Sequence, residues 1–172
     1  MLRDTEAMSA AAANPYASFL GKLNAREIIG ATPHNLIHLA DRLGSGGFER
    51  SYGPGKWTAR MILCHLADCE IAFSFRIRQT LAQSDHVVQP FDQEAWARPY
   101  NDASFHAQTA LQVFADLRGW NLVLLDSLNP EAFQRRLRHP ERGEMTLQTL
   151  VETMAGHDLN HLRQLETIAD QG

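Results

Sequence analysis

The chain carries only two cysteines, Cys64 and Cys69, in 172 residues. On one helix a spacing of five points them roughly 140° apart, so they do not pair with each other. That excludes a disulfide-stapled secreted scaffold, and reduced thiols fit the cytoplasm. Positive charge is also scarce: 16 Lys and Arg stand against 20 Asp and Glu, for a net charge of −4 with no basic run. Nucleic-acid binding through phosphate neutralisation is not expected. No apolar run approaches the roughly 18 residues of a membrane span. The segment Met1 to Asn14 has Arg3, Asp4 and Glu6 followed by small residues, and no apolar signal core. A convincing set of strands and an internal repeat are missing too.

What is present is helical periodicity over a length that suits one core. Residues 1–13 are expected to be disordered and 14–172 to form a single domain. Tyr16, Phe19 and Leu20 lead in. Ala25 to Leu43 is periodic but holds Pro33, which predicts either a kinked helix or a short turn with Thr32 capping a helix over 33–43. Gly44, Gly46 and Gly47 end it. The second helix starts at Thr58 as N-cap and runs to about Gln83. The stretch from Ser84 to Asp102 is irregular, with room for one short helix over 91–97, and is long enough for a crossover. Asp102 or Ser104 caps a third helix that reaches about Leu128, where Asn129-Pro130 breaks it. A connector over 133–145, with room for a short extended pair, leads to Thr146, which caps the last helix. The fold class is all-α, a four-helix bundle in which simple up-and-down order is not assured.

The last helix carries His157 and His161, four residues apart and so stacked on one face. Phase matters more than spacing. At roughly 100° per residue His161 falls inside the stripe of Leu150, Met154, Leu165 and Ile168, and His157 at its edge. Inward imidazoles need a partner, either a metal or a core hydrogen bond. His34 and His38 share the spacing but face away from Leu36, Leu39 and Leu43, as solvated surface. On the second helix His65 lies at the margin of the stripe Ile62, Leu66, Cys69, Phe73 and Ile77. Cys69 reads as a small buried residue. Asp68 lies near His65, and Arg76 is about three turns on along the same side. An inward arginine needs a carboxylate, a carbonyl or an anionic ligand, and a structural ion pair is the simplest of these.

Three inward histidines from two helices could give three nitrogen ligands with an open position, the pattern of a catalytic metal site. Nitrogen donors do not choose among zinc, nickel, iron or copper. Asp68, ahead of Asp158, is the candidate acceptor for an imidazole N–H. The other reading is three separately satisfied core histidines.

Four stretches carry a resemblance: Pro54-Gly55-Lys56-Trp57-Thr58, His65-Leu66-Ala67-Asp68, Phe91-Asp92-Gln93-Glu94-Ala95-Trp96 and Gly156-His157-Asp158-Leu159-Asn160-His161. In this order and spacing the chain resembles the DinB-like superfamily of metal-binding four-helix bundles, in particular its YfiT-like or bacillithiol-transferase-like branch. The resemblance implies a bundle with a crossover, and one divalent metal ion held at His65, His157 and His161. It implies a homodimer and a small-molecule substrate. It also implies chemistry in which a low-molecular-weight thiol is brought to the metal and moved onto an electrophile. Arg76 would then hold an anionic group of the thiol, while Asp92 and Trp96 line the pocket mouth. A metal-dependent hydrolase and a non-catalytic, metal-binding stress-response protein are the alternatives.

Overall fold

The computed structural model describes residues 14–102 and 104–171, so the expected tail over 1–13 lies outside the described residues. A short α1 (Ala17–Leu20) leads into four long helices: α2 (Ala25–Gly47), α3 (Ala59–Ala82), α5 (Ala107–Asp126) and α6 (Leu147–Ala169). Between α3 and α5 lie β1 (His86–Val87), α4 (Gln93–Ala97) and a 3₁₀ turn (Arg98–Asn101). Between α5 and α6 lie a second 3₁₀ turn (Pro130–Gln134), β2 (Arg136–His139) and β3 (Gly143–Thr146).

The helix starts follow from side-chain oxygens that accept the free N–H groups of a first turn. Asn24 accepts from Arg26 and Glu27, Thr58 from Met61, and Thr146 from Thr149. α2 differs from the expectation of a turn at Thr32. It continues as helix through Pro33, and the Thr32 hydroxyl donates to the Ile28 carbonyl instead of capping. The helical backbone breaks at Gly44, whose φ of 60° suits a residue without Cβ. α5 starts at Ala107, later than expected, because the Asp102 carboxylate is used within its own turn, on the Ser104 N–H.

Ion pairs and hydrogen bonds set the helix directions. Arg60, at the start of α3, donates to the carbonyls of Tyr100 and Asp102, just before α5, and Arg78 further along reaches Asn121. α3 and α5 are therefore parallel neighbours, and the 83–106 connector is a true crossover that returns along the bundle. Arg26 pairs with Asp126, so α2 is antiparallel to α5; Arg42 pairs with Asp170, so α2 runs parallel to its neighbour α6. α6 lies antiparallel against α3 and faces His65 with His157.

A three-stranded sheet, absent from the sequence expectation except for its hairpin, ties the crossover to the α5–α6 connector. β1 pairs in parallel with β2, and β2 in antiparallel with β3. Val88, Leu137 and Met145 form its own small core. Two strand residues in β1 give too short a run to register as alternation.

Candidate functional site

α3 and α6 bring His65, His157 and His161 together in the bundle interior, only 2%, 2% and 5% exposed. Their ring centroids lie 4.5–5.2 Å apart. The Nε2 atoms of His65 and His157 are 3.0 Å apart. His161 is oriented by Gln164, whose Oε1 lies 2.8 Å from His161 Nδ1, leaving Nε2 as its free nitrogen. Burial, together with the charge that His161 would carry, depresses the basicity of His65 to a pKa of about 3. Burial and then the neighbouring histidines drive His157 well below its ordinary range, and burial lowers His161. The cluster is therefore three neutral imidazoles, the form that ligates a metal.

Cys69 joins this cluster, which its reading as a packing residue did not anticipate. Its Sγ is 3.5 Å from His65 Nε2, and donor atoms of His65, Cys69 and His157 all lie within 4.8 Å of one another. Burial, more than any neighbouring charge, pushes its thiol pKa up. The signal was in the sequence, since Cys69 follows His65 by four residues, the same spacing as the α6 pair.

The surroundings are aromatic. Trp57 packs on His65 at 4.9 Å between ring centroids, and Tyr16 meets His157 edge-on at 5.2 Å. Tyr16 comes this close because Gly156 lets α1 lie on α6: a Cβ there would stand 2.5 Å from the Tyr16 carbonyl oxygen. Among the described residues, openings reach the cluster from two sides. One, about 50 Å³, is lined by His157, Cys69, Arg76, His139 and Arg142 among others; the second reaches His161 past Trp57, Lys56 and Gln164.

Behind the histidines lies a buried charge network. Arg118 bonds Glu70 at 2.8 Å and Asp158 at 2.6 Å, all three 1% exposed, and Asn121 donates to Glu70. Two carboxylates on one guanidinium leave a formal surplus of one negative charge beside the cluster. Burial opposes the Arg118 charge, but Asp158 and Glu70 outweigh it and raise its pKa. Arg118 and Asn121 fall on the core stripe Phe114-Arg118-Asn121-Leu125, a pattern readable from sequence but masked there by its apolar members.

The other residues singled out from sequence have different partners. The Asp68 carboxylate accepts from the Tyr100 hydroxyl at 2.7 Å, and Asp158 from Arg118; neither accepts from an imidazole. Asp92 caps α4 through Glu94 and Ala95. Trp96, exposed, stacks near Phe91 at 4.6 Å. Arg76 has no carboxylate within 4.0 Å among the described residues, in place of the expected ion pair, and donates to the Gln89 carbonyl at 2.7 Å. His34 and His38 are exposed, as expected.

Comparison with known proteins agrees with this architecture. A protein of Oceanobacillus iheyensis is 27% identical over 136 residues, 79% of this chain and 78% of its own. YfiT of Bacillus subtilis is 22% identical over 144 residues, 83% of this chain and 81% of its own. Both are named as candidate metal-dependent hydrolases. The solved YfiT structure, described as a four-helix bundle of unusual topology, matches with a TM-score of 0.78 at 21% identity, over 86% of this chain and 85% of that one. The family model for the DinB superfamily matches residues 28–165, and the chain belongs to that superfamily.

Proposed function

We propose that His65, His157 and His161 hold one divalent metal ion and that the protein is a metal-dependent enzyme acting on a small molecule. The convergence of three buried, neutral imidazoles carries this reading. The donor set fits an ion in two respects. The nitrogens need lose no proton to bind. Nitrogens around a tetrahedral zinc lie roughly 3.3 Å apart; the His65–His157 pair, at 3.0 Å, is close to that, while the group of donor atoms within 4.8 Å of one another is completed by Cys69 and does not include His161. On the His161 side, Asp158 favours positive charge, while Arg118 and Arg142 oppose it at His157. Cys69 lies 3.5 Å from His65 Nε2 and lines the pocket beside His157. Zinc, nickel and iron all suit such donors.

Bound there, the ion supplies a Lewis acid that stabilises the anionic form of a thiol or a water. The protein's own residues orient and enclose: Gln164 fixes His161, Tyr16 and Trp57 exclude water from the rings, and Asp68 holds Tyr100. Asp92 and Trp96 support the neighbouring α4 and its stacking on Phe91. The first reaction proposed is transfer of a low-molecular-weight thiol onto an electrophile, in line with the bacillithiol-transferase-like motifs. The names of the relatives support hydrolysis as the second. A metal-loaded sample assayed with a panel of thiols and monochlorobimane, and separately with ester and amide substrates, tests both. Metal-dependent thiol consumption supports transfer; turnover of esters or amides alone replaces it with hydrolysis. Neither activity leaves a non-catalytic metal protein.

The same reading includes a homodimer and a cytoplasmic location. Ile71 and Phe75 on α3 and Trp120 and Val123 on α5 expose apolar side chains on neighbouring parallel helices, a face suited to a second copy. Light scattering on the purified protein measures that mass. Cys64 and Cys69 are unpaired, and no helix among the described residues is long and apolar enough to cross a membrane.

A further inference from the structure

We infer that the pocket beside His157 is an oxyanion site in which Arg76, Arg142 and His139 receive a carboxylate or phosphate group, so that the substrates are small anions. The inference deepens the metal-enzyme reading by naming the substrate class, but the anion site is built from residues that do not touch the proposed ion.

Arg76 is the leading observation. It is 9% exposed, yet its described surroundings offer no carboxylate; only Nη2 is engaged, by the Gln89 carbonyl. Phe91 lies 5.6 Å from the guanidinium and offsets part of its desolvation, but accepts no hydrogen bond in the guanidinium plane. The other buried arginines among the described residues are treated differently. Arg118 has two carboxylates and Arg60 has Glu49. A buried guanidinium with a free donor edge facing a cavity is suited to an anion from outside.

Arg142 adds a second unpaired guanidinium. It sits in the turn between β2 and β3, half-buried, and the sheet carries it to the same pocket. Its charge opposes that of Arg76 and lowers Arg76 basicity further, after burial. Two like charges gathered without an ion-pair partner cost stability, and an anion between them offsets that. His139 supplies the third donor. The Glu141 N–H donates to His139 Nδ1 at 3.2 Å, which places the proton of the neutral ring on Nε2. Burial, then Arg142 and Arg76, keep this ring neutral. Glu141 is the one acid among the described lining residues; it is exposed and forms no ion pair with either guanidinium. The volume, about 50 Å³, admits a single oxyanion group and leaves the rest of the molecule outside.

Isothermal titration with succinate, inorganic phosphate and the uncharged succinamide tests the site, on metal-loaded and metal-free protein. The expected result is binding of succinate or phosphate, none of succinamide, and affinity about tenfold weaker in Arg76→Met and in Arg142→Met. Arg142→Met is the safer variant, because the residue is half-buried in a turn; thermal melts confirm folding of both. Oxyanions that bind no better than succinamide, or bind Arg142→Met and wild type equally, overturn the inference. Metal content of the same samples separates it from the reading it rests on. Metal without anion binding refutes the anion site alone, and anion binding without metal supports it while refuting the metal centre.

Discussion

Arg118 on α5 donates through Nη1 to the carbonyl oxygen of Ile29 on α2, at 3.0 Å. That carbonyl is available because Pro33, four residues on, has no N–H to offer it. A helix that should lose a hydrogen bond at its proline instead gains one from a neighbouring helix. The same guanidinium binds Glu70 of α3 and Asp158 of α6, so one side chain joins all four long helices.

Removing Arg118 strands two buried carboxylates. Arg118→Met is expected to cost about 3–5 kcal/mol. The triple variant Arg118→Met, Glu70→Gln, Asp158→Asn should recover part of that loss, since the uncompensated charges go with the arginine. Urea denaturation of the three proteins checks both statements.

Gly156 permits the contact between α1 and α6, and its replacement has a steric consequence. In Gly156→Ala the new methyl meets the Tyr16 carbonyl at 2.5 Å, and that atom is backbone, so α1 must shift. A loss of about 1–3 kcal/mol is expected. Hydrogen exchange over residues 16–21 should rise with it, because Tyr16 no longer covers His157.

The metal-free protein should be acid-labile in a defined window. His65 is depressed from 6.5 to about 3, and His157 and His161 are also lowered, in each case first by burial. The unfolded chain takes up these protons near pH 6.5 and the folded chain does not. Stability is therefore fully present above pH 6.5 and falls as pH drops toward 3. His65 adds about 1.4 kcal/mol per pH unit to the slope, and His157 and His161 add in the same direction. Urea midpoints of metal-free protein between pH 7.5 and 5 measure it; a flat profile would mean that the cluster is protonated or open in solution.

Cys69 separates two donor sets. If the three histidines hold the ion, Cys69→Ala keeps its metal and loses only packing. If metal content falls to the level of a histidine variant, the thiol is itself a ligand. Burial also raises both thiols, Cys64 to about 11 and Cys69 further, so neither should react readily with maleimide in the folded protein.

Much of this architecture can be read from local pattern. Thr58 and Thr146 announce their helices, and the phase of His65, His157 and His161 puts all three inside the bundle. What local pattern does not carry is partnership across the chain. Nothing near Pro33 says that an arginine 85 positions later will satisfy Ile29. Nothing in the 133–145 connector says that a parallel pairing with His86 and Val87 will form and that His139 and Arg142 will share a pocket with Arg76. Cys69 was legible by its spacing from His65 and was outweighed by its fit to the apolar stripe. Asp68 looked free to serve an imidazole because Tyr100, its actual donor, lies 32 residues away.

The most direct test of the central claim is metal content by mass spectrometry, on untagged wild type and on His65→Ala, His157→Ala and His161→Ala. The three-histidine site predicts about one metal ion per chain in wild type and its loss from each variant. No metal in wild type, even after loading with zinc or nickel, would contradict it, as would a histidine variant that keeps the full amount.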